Sequence, residues 1–128
     1  MLFRSLPKEV PLKSAVTQWA NVAGLVSGFL QKDIALIGRS LQDVIVEPVR
    51  CKLIPGFDEV KQKSLQAGAL GGGISGSGPS LFMLSADKNI AEQVEKEMAA
   101  VYQKLGIDYK TYVSTMAPQG VRVLEMSE

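Results

Sequence analysis

Gly71-Gly72-Gly73-Ile74-Ser75-Gly76-Ser77-Gly78-Pro79-Ser80 is the stretch on which the reading of this chain turns. Its ten residues hold five of the chain's twelve glycines and one apolar side chain. Each glycine loses more conformational freedom on folding than any other residue. Such a cluster therefore predicts a backbone at positive φ, or one that passes very close to something. Consecutive amide groups in a loop of this kind can form a concave nest that attracts anions. A mobile linker is the competing reading of glycine and serine composition. It fits poorly, because the stretch runs directly into Leu81-Phe82-Met83-Leu84, which reads as a buried strand.

The surrounding composition narrows the chemistry. A chain of 128 residues, 46% hydrophobic and 21% charged, is predicted to form one globular domain. A net charge of +1 gives no electrostatic case for nucleic acid or an anionic membrane. There is no histidine and Cys51 is the single cysteine. That combination excludes a disulfide framework and argues against a zinc site. It also removes catalytic triads built on histidine, and an intracellular, cytoplasmic setting is the expectation. The apolar segment from Ala15 to Leu30 is interrupted by Gln18, Asn21 and Ser27, too short and polar for a membrane span.

Upstream of the glycines the periodicity is helical. From Ser14, Trp19, Val22, Ala23, Val26, Phe29 and Leu30 recur at three- and four-residue intervals, predicting a tightly packed core helix. Gly24 and Gly28 on it would let another backbone approach closely. Asp33 is placed to cap a second helix carrying Ile34, Ile37, Leu41, Val44 and Ile45. Pro48 and Pro55 predict a short extended or turning connection over 46–55. Within it, Glu47 and Arg50 form an exposed salt bridge, or Arg50 presents its fork to a carboxylate or phosphate. Phe57 to Ala67 predicts a third helix, with Phe57, Val60, Leu65 and the stems of Lys61 and Lys63 on its apolar side, ended by Gly68.

Downstream, Leu81 to Ala86 is expected to be a strand. A fourth helix follows, with Asn89 and Glu92 at capping-box spacing, Glu92 and Lys96 as an i,i+4 pair, and Gly106 as its stop. Tyr109 to Thr115 and Val121 to Leu124, turned by Pro118-Gln119-Gly120, read as a hairpin. Together these elements predict an α+β domain, a mainly antiparallel sheet with helices packed on one face.

Gly73-Ile74-Ser75-Gly76-Ser77-Gly78-Pro79-Ser80-Leu81-Phe82 resembles the third signature motif of the galactokinase, homoserine, mevalonate and phosphomevalonate (GHMP) kinase superfamily. Asp43-Val44-Ile45-Val46-Glu47-Pro48-Val49-Arg50, Leu53-Ile54-Pro55-Gly56-Phe57 and Gly120-Val121-Arg122-Val123-Leu124 narrow the resemblance to the homoserine kinases. It extends over nearly the whole chain, residues 1–128, as a single C-terminal domain. Members of that family are longer and carry an N-terminal ATP-binding domain whose phosphate loop has no counterpart here.

The resemblance implies ATP-dependent phosphorylation of L-homoserine on the way to threonine, with ATP and Mg2+ bound mainly by the missing domain. This chain is then expected to be inactive alone and to hold no catalytic residue and no metal. The resemblance further implies that Arg50 binds the homoserine carboxylate. It also implies that Gly73, Ser75, Gly76, Ser77 and Gly78 form one wall of the phosphate site. Arg4, ahead of Leu6-Pro7, is the candidate for a second substrate arginine, one residue closer to the proline than the family pattern. The competing readings are an amino-acid-binding regulatory or interaction module and the C-terminal domain of another GHMP kinase. Apolar surface left by the missing domain predicts a homodimer or larger assembly.

Overall fold

Residues 6–123 are described by a computed structural model of the chain. Arg4 and Leu124 lie outside the described residues. Five helices and two strands follow in the order α1 (Leu12–Gln31), α2 (Ile34–Ser40), α3 (Glu47–Arg50), α4 (Phe57–Gln66), β1 (Gly71–Ile74), β2 (Leu81–Leu84) and α5 (Lys88–Leu105), with a 3-10 turn over Cys51–Leu53. The strands pair antiparallel, Gly71 opposite Leu84 and Ile74 opposite Leu81. α4 packs on α5 and on β1, and α5 on β2, so the pair backs the sheet. Between them lies the core of Ile54, Phe57, Val60, Val94 and Val101. α1 and α2 form a separate packed pair.

Local chemistry sets most of the boundaries. The Asp33 carboxylate accepts from the Leu36 amide at 2.9 Å and starts α2. α5 begins two residues earlier than its capping-box spacing suggests. Asp87, not Asn89, is its N-cap, accepting from the Ile90 amide at 2.9 Å. The i,i+4 pair on that helix is Lys88 with Glu92, at 3.5 Å, in place of Glu92 with Lys96. Gly106, at φ 65°, closes α5 as expected.

Other boundaries depart from expectation. α2 stops at Ser40, because the Asp43 carboxylate accepts from the amides of Ile45 and Val46 at 2.9 and 2.8 Å. A side chain that captures nearby amides in this way diverts the backbone from a helix into a turn. Of the two forms expected for the connection over 46–55, extended or turning, it takes the turning one: Pro48 sits in the first turn of α3, where its missing N–H costs nothing. The glycine stretch is not all loop, since its first four residues are β1 and only 75–80 turn the chain. β2 ends at Leu84 and is half-exposed rather than buried, with Phe82 facing out.

The expected C-terminal hairpin is not formed among the described residues. Tyr109 to Thr115 and Val121 to Val123 have no strand ladder, and Tyr112 is 84% exposed. A two-stranded hairpin is marginal without a sheet to join. Here Lys110–Ser114 line a cavity of ≈ 320 Å³ together with residues of β2 and α5.

The packing of α1 also inverts its reading. Its glycine side faces α2: a Cβ on Gly28 would lie 3.0 Å from the Ile37 amide nitrogen and 3.3 Å from the Asp33 carbonyl. The close backbone approach predicted for these glycines is present at Gly28, whereas at Gly24 it is the Ser40 side chain that comes near. The apolar stripe assigned to the core is instead exposed, Trp19 at 64% and Leu30 at 81%. Periodicity identifies a face, but backbone proximity at the glycines decided which face α2 took.

Candidate binding site around the glycine turn

The site grows from α3. The Asx turn at Asp43 aims the chain into Glu47–Arg50, and the short helix projects its first and last charged residues toward the sheet. Arg50 is 7% exposed, and its Nη1 donates to the carbonyl of Gly76 at 3.1 Å. One guanidinium thus ties the end of α3 to the tip of the turn that joins β1 to β2. A neutral carbonyl is a proper acceptor for a buried cation, which would otherwise be costly to desolvate.

Glu47 does not pair with Arg50. It is bonded to Lys61 on α4, and the Lys61 ammonium also lies 5.7 Å from the centre of the Phe57 ring. Side-chain exposures of 14% for Glu47 and 22% for Lys61 put this ion pair mostly out of water. The Glu47 carboxylate lies against β1, where a Cβ on Gly73 would meet its Oε2 at 2.7 Å. Gly73 therefore makes room for an acid, and its place in the motif has a steric cause. Sequence reasoning missed Lys61 as a site neighbour. The available signal was that a lysine stem sits on the apolar side of α4.

The turn itself is closed by Ser75, whose amide donates to the Ser80 carbonyl at 2.8 Å while its own carbonyl accepts from Gly78 at 3.1 Å. Gly76 and Gly78 adopt φ of 61° and 76°, and the Gly78–Pro79 peptide is cis. Gly76 and Ser77 are exposed at the tip. Ile54 supports the turn from below, its Cδ1 3.1 Å from where a Gly78 Cβ would be. The Ile54-Pro55-Gly56-Phe57 segment is thus a brace, with Ile54 and Phe57 buried and Gly56 at φ 75° capping α4.

On the other side a small cavity of ≈ 200 Å³ opens beside Glu47, Gly72, Gly73, Gln18 and Asn21. Gln18 accepts from the Val44 amide at 2.9 Å, and Asn21 donates to the Gln42 carbonyl at 3.0 Å, which holds α1 against the loop before α3.

The structure therefore brings Arg50, Gly73, Ser75, Gly76, Ser77 and Gly78 into one neighbourhood. Arg50 reaches the exposed backbone turn, while Glu47 and Lys61 neutralise each other against the neighbouring strand β1. Among the described residues no three His, Cys, Asp or Glu side chains converge as a metal site would require. No helix there is long and apolar enough to cross a membrane.

The profile of the family described as GHMP kinases C terminal matches residues 25–104, well over half of the chain. The chain belongs to the GHMP kinase C-terminal family. Within this GHMP kinase family it is similar to a homoserine kinase of Chlorobaculum tepidum, 47% identical over 121 residues covering 93% of this chain. A homoserine kinase of Pyrococcus abyssi is 39% identical over 111 residues, 87% of the chain. The crystal structure of homoserine kinase from Cytophaga hutchinsonii superposes with a TM-score of 0.85 at 53% identity over 87% of this chain. The GHMP kinase domain described here spans little more than a third of those proteins, 37% of the first two and 35% of the third.

Proposed function

We propose that this chain is the C-terminal domain of a homoserine kinase, which transfers the γ-phosphoryl group of ATP to the side-chain hydroxyl of L-homoserine in threonine biosynthesis in the cytoplasm. The observation that carries the reading is the conjunction of Arg50 latched to the glycine turn with similarity to homoserine kinases over most of the chain. Phosphoryl transfer of this kind depends on positioning and charge stabilisation more than on covalent chemistry. This chain contributes positioning. Arg50 binds the carboxylate of homoserine through its planar fork. Gly73, Ser75, Gly76, Ser77 and Gly78 form one wall of the phosphate site, their backbone allowing close approach. ATP and Mg2+ belong to the complete kinase on this reading, held mainly by its N-terminal domain. Arg4 remains the candidate for a second contact to the substrate carboxylate. The 128-residue chain alone is inactive on this reading.

The test uses a complete enzyme, the Cytophaga hutchinsonii homoserine kinase with its matching segment exchanged for this one. Arg50→Ala in that chimera is expected to raise KM for homoserine by roughly 10- to 100-fold, the worth of a charged hydrogen bond or two. Arg50→Lys keeps the charge but not the fork and recovers only part. Because Arg50 also braces the turn, KM for ATP and thermal unfolding are measured alongside. An unchanged homoserine KM, or equal losses for homoserine and ATP, removes Arg50 from the carboxylate site.

A further inference from the structure

α3 carries two opposite charges one turn apart, and the fold sends them to different partners. Glu47 and Arg50 are the first and last residues of this four-residue helix, and Glu47 is the only acid between Asp43 and Asp58. Residues three apart lie on one face of a helix, about 5–6 Å between Cβ atoms, where a carboxylate and a guanidinium ordinarily pair. Here Arg50 donates to the Gly76 carbonyl instead, and Glu47 crosses to Lys61 on α4.

The packing around the pair holds that choice. A Cβ on Gly73 would lie 2.7 Å from Glu47 Oε2, so the carboxylate rests against the bare backbone of β1. The Lys61 ammonium stands 5.7 Å from the centre of the buried Phe57 ring, whose face attracts a cation. Lys63, two residues along α4, is turned to the far side by the helix period and meets Glu59 and Glu97 at 3.7 and 4.0 Å. Lys61 is thus the cation that α4 supplies to Glu47. Without its charge, a carboxylate that is mostly out of water would need another partner, because an unpaired charge there is costly. Arg50, one turn along α3 and itself buried, is the neighbouring cation on its own helix.

The geometry points to Lys61 as a positioning residue for substrate binding, one that acts through Arg50 without touching homoserine. By holding Glu47, Lys61 keeps an internal carboxylate off the guanidinium that meets the carboxylate of the substrate. A planar guanidinium fork accepts either carboxylate in the same way, so the two compete for it. The inference rests on the assignment of Arg50 to the homoserine carboxylate under Proposed function.

Steady-state kinetics of the homoserine kinase chimera carrying this chain test it. Lys61→Met is expected to raise KM for homoserine roughly tenfold, the low end of couplings between close charge pairs. KM for ATP should stay within about twofold of the parent, a split that loss of stability alone would not produce. Adding Glu47→Gln to Lys61→Met removes the competing carboxylate and should bring the homoserine KM back to within about threefold of the parent. In an Arg50→Ala background, Lys61→Met should add no further rise, because both changes act on one contact. Thermal unfolding is followed for every variant. Should Lys61→Met fail to fold, Lys61→Gln, which keeps a donor without the charge, takes its place in the same comparison.

A homoserine KM unmoved by the loss of the Lys61 charge would overturn the inference. So would a rise shared equally by homoserine and ATP, or one that persists after Glu47→Gln; Lys61 would then be a structural brace alone. Failure of the underlying assignment looks different. An Arg50→Ala chimera with the parental homoserine KM removes both claims, whereas a raised KM there beside an unaffected Lys61→Met removes Lys61 alone.

Discussion

Alanine at Gly72 and at Gly76 should separate the two reasons for which this stretch uses glycine. At Gly72 a Cβ would fall on the Phe82 carbonyl oxygen of the opposite strand, and lie 2.9 Å from the Met83 Cα. These are backbone atoms in the register that pairs Gly72 with Met83, and they cannot rotate away. The methyl can be accommodated only if β1 lifts off β2. Overpacking costs about 1–3 kcal/mol where side chains can yield, so roughly 3 kcal/mol or more is expected here. In an ordinary strand the same change gains about 0.5–1 kcal/mol, which makes the sign itself informative.

A Cβ on Gly76 would meet nothing within 4 Å, and the cost is only that of φ 61°. A left-handed residue with a Cβ costs about 1–2 kcal/mol. Urea unfolding at unchanged m-value reads both, and Gly72→Ala should also lower Tm by about 10 °C or more. A Gly72→Ala protein as stable as the parent, or more stable than Gly76→Ala, would refute the steric account of β1.

Two further outcomes bear on the brace around the site. Lys61→Met strands the Glu47 carboxylate, which is 14% exposed, and should destabilise by about 1–3 kcal/mol in urea. Adding Glu47→Gln should recover part of that loss, and no recovery would mean that the ion pair is not what holds α3 to α4. Burial raises the Tyr102 hydroxyl above its ordinary pKa of 10.0. The contribution is therefore present below pH 10.0 and is lost as pH rises through the higher folded value. Tyr102→Phe should flatten the alkaline decline in thermal stability, and an unaltered decline would remove Tyr102 as its source.

Local chemistry was legible in the amino-acid sequence wherever a residue acts on its own neighbours. Asp33 as a cap and Gly106 as a stop are both of this kind. The motif carried the rest of the family reading, since Arg50 and Gly76 are far apart in the chain yet bonded in the fold. What escaped were properties set by a distant partner. Glu47 was matched with Arg50, three residues on, and nothing local says that Lys61 takes it instead. The alternation over Tyr109 to Thr115 is real, but a strand exists only where another edge receives it. The stripe on α1 was visible as a stripe, whereas its exposure follows from α2 occupying the glycine face instead.

The central claim is that this domain completes a homoserine kinase. Its most direct test is steady-state phosphorylation of L-homoserine by the chimera in which this chain replaces the matching part of the Cytophaga hutchinsonii enzyme. The account predicts ATP-dependent formation of O-phospho-L-homoserine with kcat/KM within about tenfold of the parent, a barrier difference near 1.4 kcal/mol. A chimera that unfolds cooperatively like its parent yet leaves homoserine unphosphorylated would contradict it.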